Sequence, residues 1–506
     1  MRIPLNRNDD TPLYKQIQQF MAQQIRAGTL TANMQLPASR QLAASLGVSR
    51  MTVINAYAEL EAEGLVQSLQ GSGTFVTPPF ELIGNSNPSP AQWPLWQQSL
   101  PQHPFVRLMA PYETAVSTAT HPDLIQFTSG MGTTEIFSSD EFRKTLQGIL
   151  RRDGAGAMGY GDTKHGGYKP LRTTIAHILG REGIPAHPEN VLITSGSQQA
   201  IAIIARLLTR PGDTILVENP TYEGGLDLFY GLGLKLVGVP VDNEGMRMDK
   251  LEEALRTSHP RLIYTIPTFH NPTSISMSTQ RRQQLVELAH HYNVPIIEDD
   301  FVGDLRLDGY TQPALKALDR YHNVIYVNTF SKALVPGLRI GYLVASGPVY
   351  EQLMMHKRNE DRASSDLMQR ALDAYITVGK YQSHLRKVNR IYRRRRNAML
   401  DALQRYMPQG VTWQKPYGGL FLWLELPPSL DVEQLFHNAL QLGVAVVPGS
   451  VFFMDKRPFP ALRLNFTIHN PHIIDKGIRR LGEAITLTSA PSQKERGLLP
   501  PFLAED

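Results

Sequence analysis

The chain has 506 residues and no cysteine, and 42% of its residues are hydrophobic and 19% charged. This length exceeds one ordinary core, since single cores stop growing near about 300 residues, and the composition excludes a mainly disordered, collagen-like or coiled-coil protein. The net charge of +5 is too small to indicate a nucleic-acid partner by itself, and the lack of cysteine excludes disulfides, thiolate metal sites and thiol nucleophiles.

The amino-terminal sequence MRIPLNRNDD lacks the apolar core of a signal peptide. No run approaches the roughly 18 apolar residues of a membrane span. The 15 histidines show no metal-ligand spacing. We therefore expect a cytoplasmic protein that contacts no membrane and has no metal site.

Three short helices are predicted before residue 64. Thr11 and Pro12 are typical of the cap and first position of a helix. Ser39 begins a second helix, Gly47 ends it, and Ser49 caps a third. Two helices across such a tight turn are typical of domains whose second helix enters the major groove of DNA.

A small hairpin, the wing, is predicted in GSGTFV after these helices. With PLYKQI and LPASRQLAASLGVSRMTVINAYAELEAEGLV, residues 11–79 resemble the winged-helix DNA-binding domain of GntR-type bacterial regulators. The residues expected at the DNA are Arg40, Arg50, Thr52, Asn55, Gly71 and Gly73. A third arginine of the family pattern is Ile54 here, so the resemblance does not carry over a base preference.

The charge balance of this segment leaves an alternative open. Residues 1–79 hold six basic and five acidic side chains, so bulk charge does not indicate DNA. The alternative is a three-helix interaction module with solvated arginines. We favour binding to double-stranded operator DNA, because the helix order, the caps and the wing agree and the acids cluster at the far end of the third helix. A dimer would supply more phosphate contacts.

Residues 80–104 are predicted to be a proline-rich linker. Because it contains Trp93 and Trp96, we expect part of it to lie against a domain surface. At the other end, residues 489–506 lose apolar periodicity and are predicted to form a loose tail.

Residues 105–488 are predicted to form an α/β domain. The apolar runs VLITSG, TILVE, LKLVGVPV, RLIYTIP, VPIIEDD and VIYVNT alternate with helical stretches, as in a largely parallel sheet with covering helices. Several runs end in polar turns, which is where ligands of such sheets bind.

Two of these turns suggest a phosphate next to a reactive lysine. Ser197 and Gln198 open a helix whose free N–H groups suit an anion. Lys332 follows a strand and is flanked by hydroxyls, with Arg339 seven residues on. Nearby cations and burial lower the pKa of a lysine, which then forms a Schiff base more readily. The side chains expected to hold the phosphate ester are Thr329, Ser331 and Arg339.

The cofactor that combines a phosphate ester with an aldehyde for such a lysine is pyridoxal phosphate. Its ring needs an acidic side chain at the ring nitrogen, and the strand VPIIEDD ends in Glu298, Asp299 and Asp300. Alternation puts Asp299 on the side opposite Glu298 and Asp300, and only one side can face the ring. Asn271 offers an amide to the phenolic oxygen of the ring, and Tyr222 offers a stacking face.

Residues 105–488 resemble fold type I aminotransferases, and nearly the whole chain resembles the MocR-type regulators, GntR proteins with an aminotransferase-like domain. The resemblance implies pyridoxal 5'-phosphate as cofactor, Lys332 as the aldimine lysine, Asp299 at the pyridine nitrogen, Asn271 at the phenolic oxygen and Tyr222 on the ring. It implies Arg463 for an α-carboxylate. The residues implied at the phosphate are Ser197, Gln198, Thr329, Ser331 and Arg339, with Tyr160 reaching the neighbouring subunit of a homodimer.

Two departures from the family pattern bear on activity. Phe301 stands where the family has a tyrosine that hydrogen-bonds the phenolic oxygen, and Ser274 replaces a turn glycine. We therefore expect a transcriptional regulator that senses pyridoxal phosphate, or an amino acid or amine effector, through an aldimine. An active aminotransferase with an appended winged helix is the alternative, and a DNA-binding protein with a cofactor-free scaffold is a third interpretation.

Residues 386–396, RKVNRIYRRRR, hold seven basic side chains in eleven positions. We expect a solvated helix face here, with contacts to DNA or to the domain's own acids as the alternatives.

Overall fold

The computed structural model describes residues 3–7, 9, 11–69, 72–77, 109–133, 135–162, 164–334, 336–454 and 459–489. The chain divides into two compact units, which in this part are residues 3–77 and 109–489. Three sequence-based predictions fall outside the described residues: wing residue Gly71, the linker 80–104 and residues 490–506 of the tail. Among the helices of the described residues, none is long and apolar enough to span a membrane.

The first unit is a three-helix domain with a hairpin. Its elements are helices α1 (Leu13–Arg26), α2 (Ser39–Leu46) and α3 (Arg50–Ala62) and strands β1 (Val66–Leu69) and β2 (Gly73–Val76). The two strands pair antiparallel. Helix α1 starts at Leu13, one residue later than predicted. Pro12 has an extended ψ of 142°, so it is the N-cap residue and not the first residue of the helix.

Local chemistry sets the turn between α2 and α3. Gly47 takes the left-handed conformation that ends α2, with φ of 63°. Ser49 Oγ accepts the N–H of Thr52 at 3.1 Å and so caps α3. The apolar faces of the three helices and the hairpin close on one core, which includes Ile17, Met21, Leu42, Val53, Leu60 and Val76.

The second unit is built on an eight-stranded sheet. In spatial order its strands are β4 (Val191–Thr194), β11 (Gly341–Val344), β10 (Val324–Thr329), β9 (Ile296–Asp299), β8 (Leu262–Thr265), β5 (Thr214–Asn219), β6 (Lys235–Asp242) and β7 (Gly245–Met246). The five strands from β10 to β6 are parallel. Strand β11 runs antiparallel between β4 and β10, and β7 is antiparallel to β6. The predicted α/β class is confirmed.

Helices connect and cover these strands. They are α5 (Ser139–Asp153), α6 (Lys169–Arg181), α7 (Ser197–Leu208), α8 (Glu223–Gly231), α9 (Met248–Ser258), α10 (Thr279–His291), α11 (Leu315–Leu318), α12 (Pro348–Asp361) and α13 (Asp366–Thr377). Helix α4 (Ala110–Thr118) precedes them in the chain, and its Tyr112 packs on Phe436 instead. Helix α7 carries six consecutive buried residues, 200–205, into the core.

A smaller lobe follows in the chain. Its antiparallel sheet consists of β12 (Thr412–Trp413), β13 (Phe421–Glu425), β16 (Ala461–Asn465) and β15 (Val447–Pro448). Its helices are α14 (Lys380–Tyr406), α15 (Val432–Gln441) and α16 (Pro471–Ser489), and β14 (Val444–Ala445) pairs in parallel with β3 (Ile125–Gln126). Ser489, which the sequence placed in the tail, is the last residue of α16.

The arginine-rich part of α14 differs from the prediction of a solvated face. Arg396 is 1% exposed, and its Nη1 donates to the carbonyl oxygen of Pro416 at 2.8 Å while Nη2 lies 2.7 Å from Asp308. Arg395 is also buried, and it donates to the Ile468 carbonyl at 3.2 Å. The prediction is wrong for these two arginines, because one side of the helix faces the core and the domain's own acid neutralises the charge.

We expect the substitution Arg396→Met to lower the free energy of unfolding by about 3 kcal/mol, because it removes a buried cation from its carbonyl and carboxylate acceptors. The matched control is Arg394→Met, which changes an exposed arginine of the same helix and should cost less than about 0.5 kcal/mol. Denaturant unfolding of both variants tests the difference, and equal midpoints would contradict it.

Candidate functional site

A cavity of about 220 Å³ opens where the parallel strands of the large sheet end. Ten of the eleven residues predicted to bind the cofactor or effector line it: Ser197, Gln198, Tyr222, Asn271, Asp299, Thr329, Ser331, Lys332, Arg339 and Arg463. The eleventh, Tyr160, is 76% exposed and is not part of this lining. Side chains that are up to 266 residues apart in sequence therefore share one space.

One end of the cavity suits an anion. Helix α7 begins there at Ser197, so its free N–H groups and the positive end of its dipole point at the cavity. Gly196 precedes it with φ of 127°, and a Cβ at this position would lie 3.3 Å from Arg339 Nη2. Glycine thus allows the helix terminus and the guanidinium to approach each other.

The same end carries a hydroxyl without a partner. Ser331 Oγ is buried and finds no hydrogen-bond partner among the described residues, whereas the Ser331 N–H donates to Thr329 Oγ1 at 3.2 Å. Leaving a buried hydroxyl unpaired is costly. The arrangement fits a ligand with acceptor oxygens, such as a phosphate ester.

Lys332 lies between this end and the small lobe. Its Nζ donates to the carbonyl oxygen of Gly130 at 2.9 Å. Burial lowers the pKa of Lys332, and the positive charges of Arg463 and Arg339 act in the same direction, although Glu223 opposes them. A lower pKa makes the neutral, nucleophilic amine more accessible.

Asp299 is the acid that faces the cavity. Its Oδ2 accepts a hydrogen bond from Tyr264 at 2.9 Å, and its Oδ1 is buried with no partner in the described part of the chain. Burial raises the pKa of Asp299 to about 7, against the opposing effect of the Tyr264 hydrogen bond. A ring nitrogen that carries a proton would satisfy Oδ1 and stabilise the ionised carboxyl.

The two neighbouring acids turn the other way. Glu298 accepts two backbone N–H groups of α11, at 2.7 and 2.8 Å, and Asp300 accepts the hydroxyl of Tyr326 at 2.7 Å. Neither residue lines the cavity. Strand alternation therefore leaves Asp299 as the acid available at this edge.

Arg463 brings a buried cation into the cavity from strand β16. Its Nη1 donates to Asn271 Oδ1 at 2.9 Å and lies 3.4 Å from a carboxylate oxygen of Glu223. The centre of the guanidinium lies 4.3 and 4.7 Å from the ring centroids of Phe421 and Phe452. Burial lowers the pKa of Arg463. A ligand carboxylate would neutralise this cation inside the protein.

The two departures from the family pattern differ in consequence. Phe301 lines the cavity and offers no hydrogen-bonding atom there. Ser274 takes the left-handed conformation usual for glycine, with φ of 60°, and its Oγ donates to the carbonyl oxygen of Phe421 at 2.6 Å. The turn is therefore kept although serine replaces glycine. Phe301, in contrast, has no hydroxyl that could donate to the phenolic oxygen.

These observations fit pyridoxal 5'-phosphate. The two buried, unpartnered atoms Asp299 Oδ1 and Ser331 Oγ match a ring nitrogen and a phosphate, and Lys332 offers an amine to an aldehyde. Tyr222 lines the same cavity, and its hydroxyl donates to Gln198 Oε1 at 3.3 Å.

Three residues that bond to functional side chains of the site were not predicted from the sequence: Gly130, Glu223 and Tyr264. A tyrosine inside a buried parallel strand signals a hydroxyl that needs a partner, which could have indicated Tyr264. Glu223 directly follows Tyr222 in the turn after an apolar run, and a charge there is a weaker signal. The contact of Gly130 uses only its backbone carbonyl and leaves no trace in the sequence.

The first unit exposes most of its predicted DNA-binding side chains. Arg40 in the first turn of α2, Arg50 at the start of α3 and Asn55 are exposed. Thr52 is half-buried, and its hydroxyl lies 2.8 Å from the hydroxyl of Ser49. Thr52 therefore takes part in the helix cap.

Wing glycine Gly73 has φ of 114°, and a Cβ there would lie 2.6 Å from the Gln35 side-chain nitrogen. That nitrogen donates to the carbonyl oxygen of Ser72 at 2.7 Å. The Gln35 side chain could move aside, but the positive φ of Gly73 favours glycine in this hairpin independently of any approach to DNA.

Two family models match the chain. The model described as aminotransferase class I and II matches residues 123–481, and the model described as bacterial regulatory proteins, gntR family, matches residues 13–76.

Some relatives match nearly the whole chain, and others match about three quarters of it. The uncharacterized HTH-type transcriptional regulator YdfD of Bacillus subtilis (strain 168) is 33% identical over 471 residues, which are 93% of this chain and 96% of YdfD. The probable rhizopine catabolism regulatory protein MocR of Rhizobium meliloti is 31% identical over 483 residues, 95% of each chain. The crystal structure of the alpha-aminoadipate aminotransferase LysN from Thermus thermophilus, complexed with N-(5'-phosphopyridoxyl)-L-leucine, has a TM-score of 0.71 and 33% identity over 78% of this chain and 98% of LysN.

The substitution Tyr264→Phe tests the electrostatics at Asp299. Because the hydroxyl of Tyr264 lowers the pKa of this carboxyl, its removal should raise the pKa above about 7 and leave less ionised carboxylate at pH 7. We expect pyridoxal 5'-phosphate to bind about tenfold more weakly at pH 7, with a smaller loss at pH 8.5, where the carboxyl ionises in both proteins.

Cofactor titration followed by absorbance measures this affinity. The matched control is Tyr326→Phe, which removes a similar hydrogen bond from Asp300, outside the cavity. The same loss in both variants would show that the effect does not arise at Asp299.

Proposed function

This chain belongs to the MocR-type regulators of the GntR family, and we propose that its second domain senses an amino acid or amine effector at a pyridoxal 5'-phosphate site and so alters its binding to operator DNA. The predicted fold, a winged helix followed by a fold type I aminotransferase domain, is confirmed by the family models and by the LysN structure. The chain is a transcriptional regulator with an aminotransferase-like domain, like the regulators that it resembles over 93–95% of its length.

The observation that carries the proposal is the cavity around Lys332. It combines a lysine with a lowered pKa, an unpartnered carboxylate oxygen, an anion site and a buried arginine. Pyridoxal 5'-phosphate supplies an aldehyde and an electron-accepting ring when it is bound. Finding ten of the eleven predicted side chains for such a group and its effector in one space makes a cofactor-free scaffold a poor explanation.

Each residue has a distinct part in this proposal. Lys332 would hold the aldehyde carbon, and Asp299 would hold the proton at the ring nitrogen. Asn271 orients the phenolic oxygen and also fixes Arg463, to which it is hydrogen-bonded at 2.9 Å. The phosphate is held by Ser197, Gln198, Thr329, Ser331 and Arg339.

The effector competes with Lys332 in this cavity. With the cofactor bound, the effector amine would replace the amine of Lys332, which would be released as a free amine, and Arg463 would bind the effector carboxylate and so link the two sheets of the domain through the ligand. Occupancy shifts the domain arrangement only to the extent that the two arrangements bind the effector with different affinity.

Phe301 favours sensing over turnover. A tyrosine at this position would donate a hydrogen bond to the phenolic oxygen and so adjust protonation close to Lys332, whereas phenylalanine contributes only apolar surface. The competing function is a true aminotransferase with an appended DNA-binding domain, and keto-acid production from an amino acid would support it.

Tyr160 supports a homodimer. It is 76% exposed and lies outside the cavity of its own chain, as expected of a residue that completes the phosphate site of a neighbouring subunit. A dimer also presents two winged helices to an operator, which doubles the phosphate contacts. We place this dimer in the cytoplasm, where operator DNA lies.

The substitution Lys332→Ala should abolish the visible absorbance of the bound cofactor and the effect of amino acids on DNA binding. Absorbance spectra and gel shifts with a panel of amino acids measure both, and Lys235→Ala, an exposed lysine of β6, is the control. A ligand-dependent gel shift that persists in Lys332→Ala would contradict the proposal. Steady keto-acid production that is lost in this variant would favour the aminotransferase.

The substitution Arg50→Ala should weaken binding to the operator about tenfold or more, since it removes an exposed arginine at the start of the helix that enters the groove. The control is Arg26→Ala, whose ion pair with Glu63 lies on the surface. Fluorescence anisotropy with DNA selected by the wild-type protein from a random pool measures both. Equal affinities of the two variants would contradict DNA contact by Arg50.

A further inference from the structure

Glu223 is an acidic side chain in the cavity that the cofactor does not require. It is the first residue of α8 and directly follows Tyr222, and it lines the cavity with 15% of its side chain exposed. The other acid of the lining, Asp299, bonds to Tyr264 and faces the proposed ring nitrogen. The proposed cofactor contacts therefore leave Glu223, apart from its contact with Arg463, available to bind the effector.

The pairing of Glu223 with Arg463 is loose. Arg463 Nη1 lies 3.5 and 3.4 Å from the two carboxylate oxygens, whereas a strong charge-assisted hydrogen bond is about 2.7–2.9 Å long. Among the described residues, Arg463 is the one cation within 4 Å of Glu223. A carboxylate has about four acceptor positions, so most of this capacity stays open to a donor in the cavity.

Glu223 lines the same cavity as the reacting amine of Lys332 and acts on its charge. After burial, its negative charge is the largest influence on the pKa of Lys332 and opposes the lowering. An effector amine at the position of Lys332 therefore enters the field of this carboxylate.

An amino acid with an uncharged side chain would leave one negative charge of the cavity unpaired. Its cationic lining residues are Lys332, Arg339 and Arg463, and its anionic ones are Glu223 and Asp299. In the proposed function the cofactor contacts Lys332, Arg339 and Asp299. The charged side chains that remain for the effector are then Arg463 and Glu223, which already pair with each other. A ligand carboxylate on Arg463 then lies beside a second carboxylate, and the repulsion is relieved only when the ligand brings a further cation.

We propose that Glu223 selects dibasic amino acids, whose carboxylate binds Arg463 and whose second ammonium group binds Glu223. This inference rests on the proposed function, because it names the effector class of the same site. Each charge of the ligand is paired with the opposite charge of the protein, and no buried charge is left unpaired.

Glu223→Gln tests this in the cofactor-loaded, full-length protein. Calorimetric titration compares two pairs of equal chain length, L-ornithine with L-norvaline and L-lysine with L-norleucine. We expect the wild-type protein to bind the dibasic member of each pair about tenfold or more tightly. In Glu223→Gln the dibasic amino acids should bind about tenfold more weakly and the neutral ones more tightly, so the preference disappears or inverts.

Glu252→Gln, an exposed glutamate of α9, is the matched control and should leave the preference unchanged. Thermal unfolding of each variant reports its folded state. Equal weakening of both ligand classes in Glu223→Gln would overturn the selection of dibasic ligands, because the glutamate would then act only on packing. Equal tightening of both classes would also overturn it, because the glutamate would then only compete with the ligand carboxylate for Arg463.

The outcomes separate this inference from the proposed function. If the wild-type protein binds amino acids without preferring a second ammonium group, the effector class is wrong and the sensing function stands. If no member of the panel produces heat or changes the cofactor absorbance, the effector class is overturned, and the gel shifts with the wider panel of amino acids decide separately on the sensing function.

Discussion

The candidate site of the second domain depends on the contacts that hold the buried guanidinium of Arg463. Removing such a cation from water costs several kcal/mol, and the protein offsets the cost with Asn271, with Glu223 and with two aromatic faces. Asn271 belongs to the large lobe and Arg463 to strand β16 of the small sheet. The cation therefore joins the two parts of the domain at the point where a ligand would enter.

The hydrogen bonds around this cation remain incomplete, and this suits a ligand-binding cavity. Arg463 Nε is buried without a partner among the described residues, and the contact with Glu223 is long. A protein selected only for stability would pair such a group fully or replace it with apolar residues. The unpaired donor, like Asp299 Oδ1 and Ser331 Oγ, is better explained by a ligand that completes it.

Much of the candidate site could be predicted because its residues follow strands of a parallel sheet. Lys332, Asp299 and Asn271 stand at or after the ends of apolar runs, and the carboxyl ends of parallel strands meet at one edge. Tyr264 was missed, because its bond to Asp299 depends on the register between β8 and β9, which pairs Tyr264 with Ile297. The small sheet was also missed, since two of its strands have only two residues and carry no detectable alternation.

Charge runs show the same limit of sequence reasoning. Arg394 and Arg396 are two residues apart, which is about 200° around a helix, so one is exposed and the other is 1% exposed. Composition gives both the same weight, and only the position of the core decides between them. Glu223 and Asp299 also differ only through their surroundings: Asp299 ends β9, has a hydroxyl donor and faces the proposed ring nitrogen, whereas Glu223 begins α8 and contacts Arg463. Because the family pattern describes what the cofactor requires, it accounts for Asp299 and assigns no role to Glu223, whose surroundings appear only in the folded domain.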